Sequence, residues 1–105
     1  MPKPEMIETL NITGAGGTRL PRDKYDAVRA ALLRVIPRTV SGIAFRDLPR
    51  LVDPSIPATM KPRPGSTSWL VTTVKLDLEA RRLIERVPGV TPQHLRRVRT
   101  RKESS

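Results

Sequence analysis

Ser68, Thr72, Lys75 and Glu79 fall at i, i+4, i+7 and i+11, so they share one side of any helix that contains them. Short hydroxyl side chains beside a lysine can reach phosphate oxygens or base edges when such a helix enters a major groove. Glu79 would be repelled by phosphate, so the N-terminal half is the half expected to insert. No Arg, Asn or Gln stands on the exposed part of this stretch before Arg81. The usual bidentate partners of guanine and adenine are therefore missing, and backbone contact is expected ahead of sequence reading. An ordinary solvated helix face would show the same stripe.

A second set of candidates is basic. Arg82, Arg86, Arg96, Arg97 and Arg99 lie on or beside two extended segments, 83–87 and 95–99, joined across Pro88-Gly89. Successive strand residues face opposite sides, so Arg97 and Arg99 share one face. With Arg101 and Lys102 they form a candidate phosphate clamp. Charges on edge strands also block edge-to-edge association, but four clustered cations exceed that need. Lys61 and Arg63 add positive charge just ahead of the helix. The nucleic-acid candidates are thus Lys61, Arg63, Ser68, Thr72, Lys75, Arg86, Arg97 and Arg99.

Other constellations carry less chemistry. The run Gly14-Ala15-Gly16-Gly17-Thr18 lacks the spacing of a phosphate-binding loop and fits a hairpin turn. His94 is the single histidine, with no cysteine or clustered carboxylates near it in sequence, so no metal site is expected. Asp77 and Glu79 are two apart on a helix and point in different directions. They are not a convergent acid–base pair. Asp77 falls near the buried arc, where Arg81 at i+4 or an arginine from another element would pair with it. Nothing argues for catalysis or for a cofactor.

The elements that must position these residues follow from periodicity. Residues 6–12 alternate apolar and polar, which predicts a short strand, with 18–20 as the returning strand of a hairpin. Tyr25, Val28, Leu32, Val35 and Ile36 recur at helical spacing, from Asp23 to the stop at Pro37. Residues 41–45 read as a turn and a short extended piece. A short second helix is predicted over 46–52, burying Leu48, Leu51 and Val52, with Pro49 tolerated in its first turn. Residues 53–66 hold four prolines and one glycine and read as a long loop, of the kind that can order on binding. Ser66 or Ser68 can cap a third helix running to about Arg81. Leu70, Val74 and Leu78 line its main apolar side and Trp69 and Leu76 a second one, so it must be buried on more than one side.

Composition bounds the whole. A chain of 105 residues with 37 % apolar residues and three aromatics has a small, aliphatic core and reads as one domain. The ordered core is expected over about 6–99, with frayed tails at 1–5 and 100–105. There is no cysteine, so disulfides and thiolate metal sites are excluded. No apolar run approaches the ~20 residues that span a bilayer, and residues 1–5 contain no signal-peptide core. No membrane association and a cytoplasmic location are expected. Net charge is +10, and residues 80–105 hold eight Lys/Arg against two Glu. Such a basic balance suits a phosphate backbone, although it also serves solubility.

Helix, strand, turn and basic strand in succession is how a winged helix ends. The expected fold is α+β, a winged helix-turn-helix of three helices and a C-terminal β-hairpin wing, with a short N-terminal strand or hairpin. The runs Ile7-Glu8-Thr9-Leu10-Asn11-Ile12, Asp23-Lys24-Tyr25-Asp26-Ala27-Val28 and Trp69 through Ala80 resemble a small bacterial family of uncharacterised winged-helix-like proteins. The resemblance covers about residues 6–99 and implies fold more than function. Leu78-Glu79-x-x-x-Leu83-Ile84-x-Arg86 also looks like the helix-to-wing junction of transcription regulators, which often carries Gly where this chain has Arg82. The leading expectation is a non-enzymatic module that binds duplex DNA through its backbone. The alternatives are a protein-docking or dimerising winged helix, supported by Trp69 and Leu76, and RNA binding, which the scarcity of aromatics disfavours.

Overall fold

The computed structural model describes residues 5–11, 17–60 and 66–98. Eight regular elements follow one another along them. Strand β1 (Met6–Glu8) pairs antiparallel with β2 (Arg19–Pro21). Helix α1 (Arg22–Val35) follows directly, then β3 (Ile43–Ala44), α2 (Leu48–Val52), α3 (Ser66–Ala80), β4 (Ile84–Arg86) and β5 (His94–Arg97). The result is a mixed α+β fold of three α-helices and two small antiparallel sheets. The second sheet has the order β3-β5-β4, so β5 is its central strand. A two-stranded C-terminal hairpin was the expectation; the extended piece at Ile43–Ala44 adds a third strand by pairing with Leu95 and His94. The charges on β5 are therefore not edge-strand protection.

Local chemistry explains the boundaries. Helix α1 starts at Arg22, one residue before Asp23, because Pro21 already has the extended backbone of a helix-capping residue. It stops where Ile36 turns extended, as a residue preceding proline must. Tyr25, Val28, Ala31 and Leu32 form its buried face. Pro49 sits in the first turn of α2, where its missing N–H leaves no gap. Leu48 and Val52 are fully buried there, while Leu51 is half-buried. A short 3₁₀ turn at Phe45–Asp47 leads into α2, and two more, Asp53–Ser55 and Ala58–Met60, organise the described part of the proline-rich stretch.

Gly42 makes the third strand possible. Its φ is +66°, and a Cβ there would lie 2.3 Å from the Leu95 carbonyl oxygen. Only glycine allows β3 to approach β5 this closely.

Helix α3 is the hub. Leu70, Val71, Val74 and Leu78 join Val28, Leu32 and Ile36 of the α1 region, Leu48 and Val52 of α2, and Ile84 and Leu95 of the sheet in one apolar core. Covered on several sides, α3 buries seven of its fifteen residues, among them Lys75, Asp77 and Glu79.

Candidate nucleic-acid interface

The three ionisable residues of α3 all point inward. Asp77 is fully buried. It accepts hydrogen bonds from the Leu10 backbone N–H at 2.8 Å, from the Tyr25 hydroxyl, and from Arg81 Nε at 2.9 Å. It therefore ties the N-terminal hairpin and α1 to α3. The expected i+4 pairing with Arg81 is present. Burial, and then the bond to Asp77, pushes the Tyr25 hydroxyl up to about 12. The Asp77 carboxylate holds the Arg81 guanidinium above its ordinary range.

Glu79 sits at a second buried node. Lys75 Nζ lies 2.8 Å from its Oε1, and Arg86 Nε donates to its Oε2 at 2.6 Å. Lys75 also stacks over the Phe45 ring, 4.8 Å from the centroid. Burial lowers the Lys75 ammonium from its ordinary range, opposed by the contact with Glu79. The bond to Glu79 raises Arg86.

These nodes correct the expected polar stripe. Lys75 cannot contact a ligand in this fold, since it is 3 % exposed and engaged by Glu79 and Phe45. The stripe was inferred from one helical period, but α3 is packed on the side that carries Lys75 and Glu79. One sequence signal pointed this way: opposite charges at i and i+4 find each other before they find a ligand. Ser68 and Thr72, from the same stripe, are exposed.

The basic strands are also more committed than their sequence implied. Arg97 Nε donates to the Ile36 carbonyl at 2.9 Å, and its backbone N–H donates to Pro37 at 2.7 Å. Arg97 thus caps the C-terminal end of α1, where a cation suits the helix dipole. Arg96 pairs with Glu85 at 2.6 Å and donates to the Val40 carbonyl. Arg86 keeps half of its side chain in solvent beside its bond to Glu79. Lys61, Arg63 and Arg99 lie outside the described residues. His94 is half-buried on the central strand, its Nδ1 2.8 Å from the Pro92 carbonyl oxygen.

Two further features shape the surface around α3. Trp69 is 51 % exposed rather than buried on a second flank. It stands beside Thr72 on an open face of α3 whose exposed residues, Ser68, Trp69 and Thr72, are uncharged. The second feature is Arg82, at φ +63°. Its N–H donates to the Glu79 carbonyl and that of Leu83 to Leu78, both at 3.0 Å. This is the two-bond helix ending that glycine usually completes, and here arginine completes it. The junction of α3 and β4 opens as a cleft of about 690 Å³ with Arg82 and Arg86 in its wall. Among the described residues no group of acidic and histidine side chains is arranged to hold a metal ion, and no helix is long and apolar enough to cross a membrane.

A family model described as a family of unknown function (DUF6958) matches residues 6–95. No curated protein and no solved structure matches the chain.

Proposed function

We propose that this chain, which belongs to the DUF6958 family of unknown function, is a winged-helix module that binds duplex DNA through its phosphate backbone and performs no catalysis. The order α1, β3, α2, α3, β4, β5 with sheet order β3-β5-β4 supports the winged-helix reading, in which α3 is the groove-facing helix. The observation that carries the proposal is the fate of the acids on α3. Both Asp77 and Glu79 are buried and neutralised by cations. The open face of α3 therefore presents Ser68 and Thr72 without a carboxylate, on a chain of net charge +10. The objection that Glu79 repels phosphate no longer applies.

The contact set changes accordingly. Ser68 and Thr72 donate hydroxyls from α3, Lys61 and Arg63 supply charge ahead of it, and Arg99 follows β5. Arg86 and Arg97 are secondary, since each has its Nε already bonded. Lys75 is no longer included. Without Arg, Asn or Gln on the open face, discrimination between sequences is weak.

A backbone-amide NMR titration with random duplex DNA at about 150 mM salt, where exposed charges are screened beyond ~8 Å, tests this. Shifts concentrated over residues 61–72 and at Arg99 are expected. Shifts confined to residues 100–105, or none, would remove the proposal. Duplex RNA in a parallel titration separates the two nucleic acids.

The half-exposed Trp69 favours a second reading, in which α3 packs against α3 of a second copy. Two chains of charge +10 approach at least electrostatic cost through an uncharged face. A dimer that persists at high salt in sedimentation, and is lost in Trp69→Ser, would establish it in place of the DNA reading.

A further inference from the structure

Arg82 is the described non-glycine residue with positive φ, at a helix-ending position that glycine or asparagine fills with less strain. Its guanidinium has no hydrogen bond or ion pair among the described residues. It lines the cleft between the end of α3 and β4, and Arg86 lines the same cleft. Arg86 uses Nε and Nη2 on Glu79 and leaves Nη1 without a bond among the described residues. The two carboxylates of the cleft, Glu79 and Glu85, are each held by cations, Glu79 by Lys75 and Arg86 and Glu85 by Arg96. The cleft wall itself carries two arginines and two glutamates, and Lys75 and Arg96, outside that wall, each bond one of the glutamates. The negative end of α3 is covered as well, because the N–H groups of Arg81, Arg82 and Leu83 occupy its last carbonyls. Residues held in such strained backbone conformations cluster at ligand-binding and active sites.

We propose that this cleft is an anion site, in which Arg82 and Arg86 grip the phosphate group of a phosphate ester while Ala80 and Val98 contact its less polar part. Guanidinium forks suit phosphate in charge and geometry. A volume of about 690 Å³ falls within the range of small-molecule sites and exceeds the needs of a bare ion. The site is separate from the open face of α3 and does not rest on duplex binding there.

The test is a titration of the full chain with inorganic phosphate against chloride at constant ionic strength, read at backbone amides. Saturable shifts over residues 80–86 and at Val98 are expected. Arg82→Gly relieves the strain and removes the guanidinium, so it should melt higher than the parent while binding phosphate at least about tenfold more weakly, a loss of ~1.4 kcal/mol. Arg82→Asn, which also tolerates this backbone, is the second variant. No saturable shift in the parent, or undiminished binding in both variants, overturns the proposal. A short duplex supplies the other arm. If it displaces phosphate at the amides of residues 80–86, the grip is on a nucleic-acid backbone; if phosphate binds while duplex shifts residues 61–72 and Arg99 but not 80–86, the ligand is a small phosphate ester and the two sites are independent.

Discussion

Lys75 shows how one side chain can look like a ligand contact and be a core residue. Its ammonium bridges Glu79 and the Phe45 ring, so truncation leaves Glu79 buried with Arg86 alone. Breaking a buried pair costs ~3–5 kcal/mol, and Lys75→Ala should cost about 3 kcal/mol in urea unfolding, since Arg86 remains. Replacing both charges by apolar residues, Lys75→Met with Glu79→Leu, should recover most of that loss. A double variant as unstable as the single one would contradict this account. Tyr25 gives a pH signature. Its hydroxyl is raised to about 12 from an ordinary value of 10.0, so the folded state holds its proton more tightly than the unfolded chain does. That stability is fully present below pH 10 and is lost as pH rises towards 12. The loss should reach ~2–3 kcal/mol and be absent in Tyr25→Phe. Lys75 has a lowered value and acts in the opposite sense below its unfolded value of about 10.4. The difference between parent and Tyr25→Phe, rather than the parent alone, isolates the tyrosine.

At the scale of elements, the decisive contact is β3 against β5. Sequence periodicity shows a turn and an extended piece at 41–45 but says nothing of a partner 50 residues away. The close approach at Gly42 predicts unequal costs for two similar substitutions. Gly42→Ala meets the Leu95 carbonyl, whereas Gly89, at φ +75°, has open space around its missing Cβ. Gly89→Ala should cost only the backbone penalty, ~1–2 kcal/mol. Gly42→Ala adds a clash and should cost roughly 3–5 kcal/mol, at the severe end for single substitutions. Comparable urea midpoints for the two variants would contradict the strand order. Arg97 belongs to the same scale: its role as a cap for α1 could not be read from a basic strand, because the carbonyl it serves lies 61 residues earlier.

For the whole molecule, net charge governs association with polyanions, while the fold decides which cations remain available. In the described residues, Lys75, Arg81, Arg86, Arg96 and Arg97 all have internal partners. Among the positions proposed to contact DNA, the main charge comes from Lys61, Arg63 and Arg99. Replacing these three by alanine should lower the slope of log K against log salt by about 2–3, at ~0.9 per phosphate contact for duplex DNA. Removing Lys75 should leave that slope unchanged wherever the variant still folds. An unchanged slope in the triple variant would show that the excess charge does not serve DNA through these positions.

The sequence by itself determined the kinds and order of the elements. Apolar spacing marked α1 and α3, Pro37 and Pro49 marked where helices stop and start, and Gly and Pro marked the turns, because these effects act over a few residues. It also indicated that α3 is buried on more than one side, and that Asp77 pairs with Arg81 one turn away. Only the tertiary structure decided which sides of α3 are covered. A 3.6-residue period identifies one buried stripe, but a helix packed between α1, α2 and the sheet has several, and the last of them takes in Lys75 and Glu79 while leaving Trp69 half in solvent. Burial of a charge depends on partners distant in sequence, here Phe45 and Arg86, and no local pattern encodes where they will be.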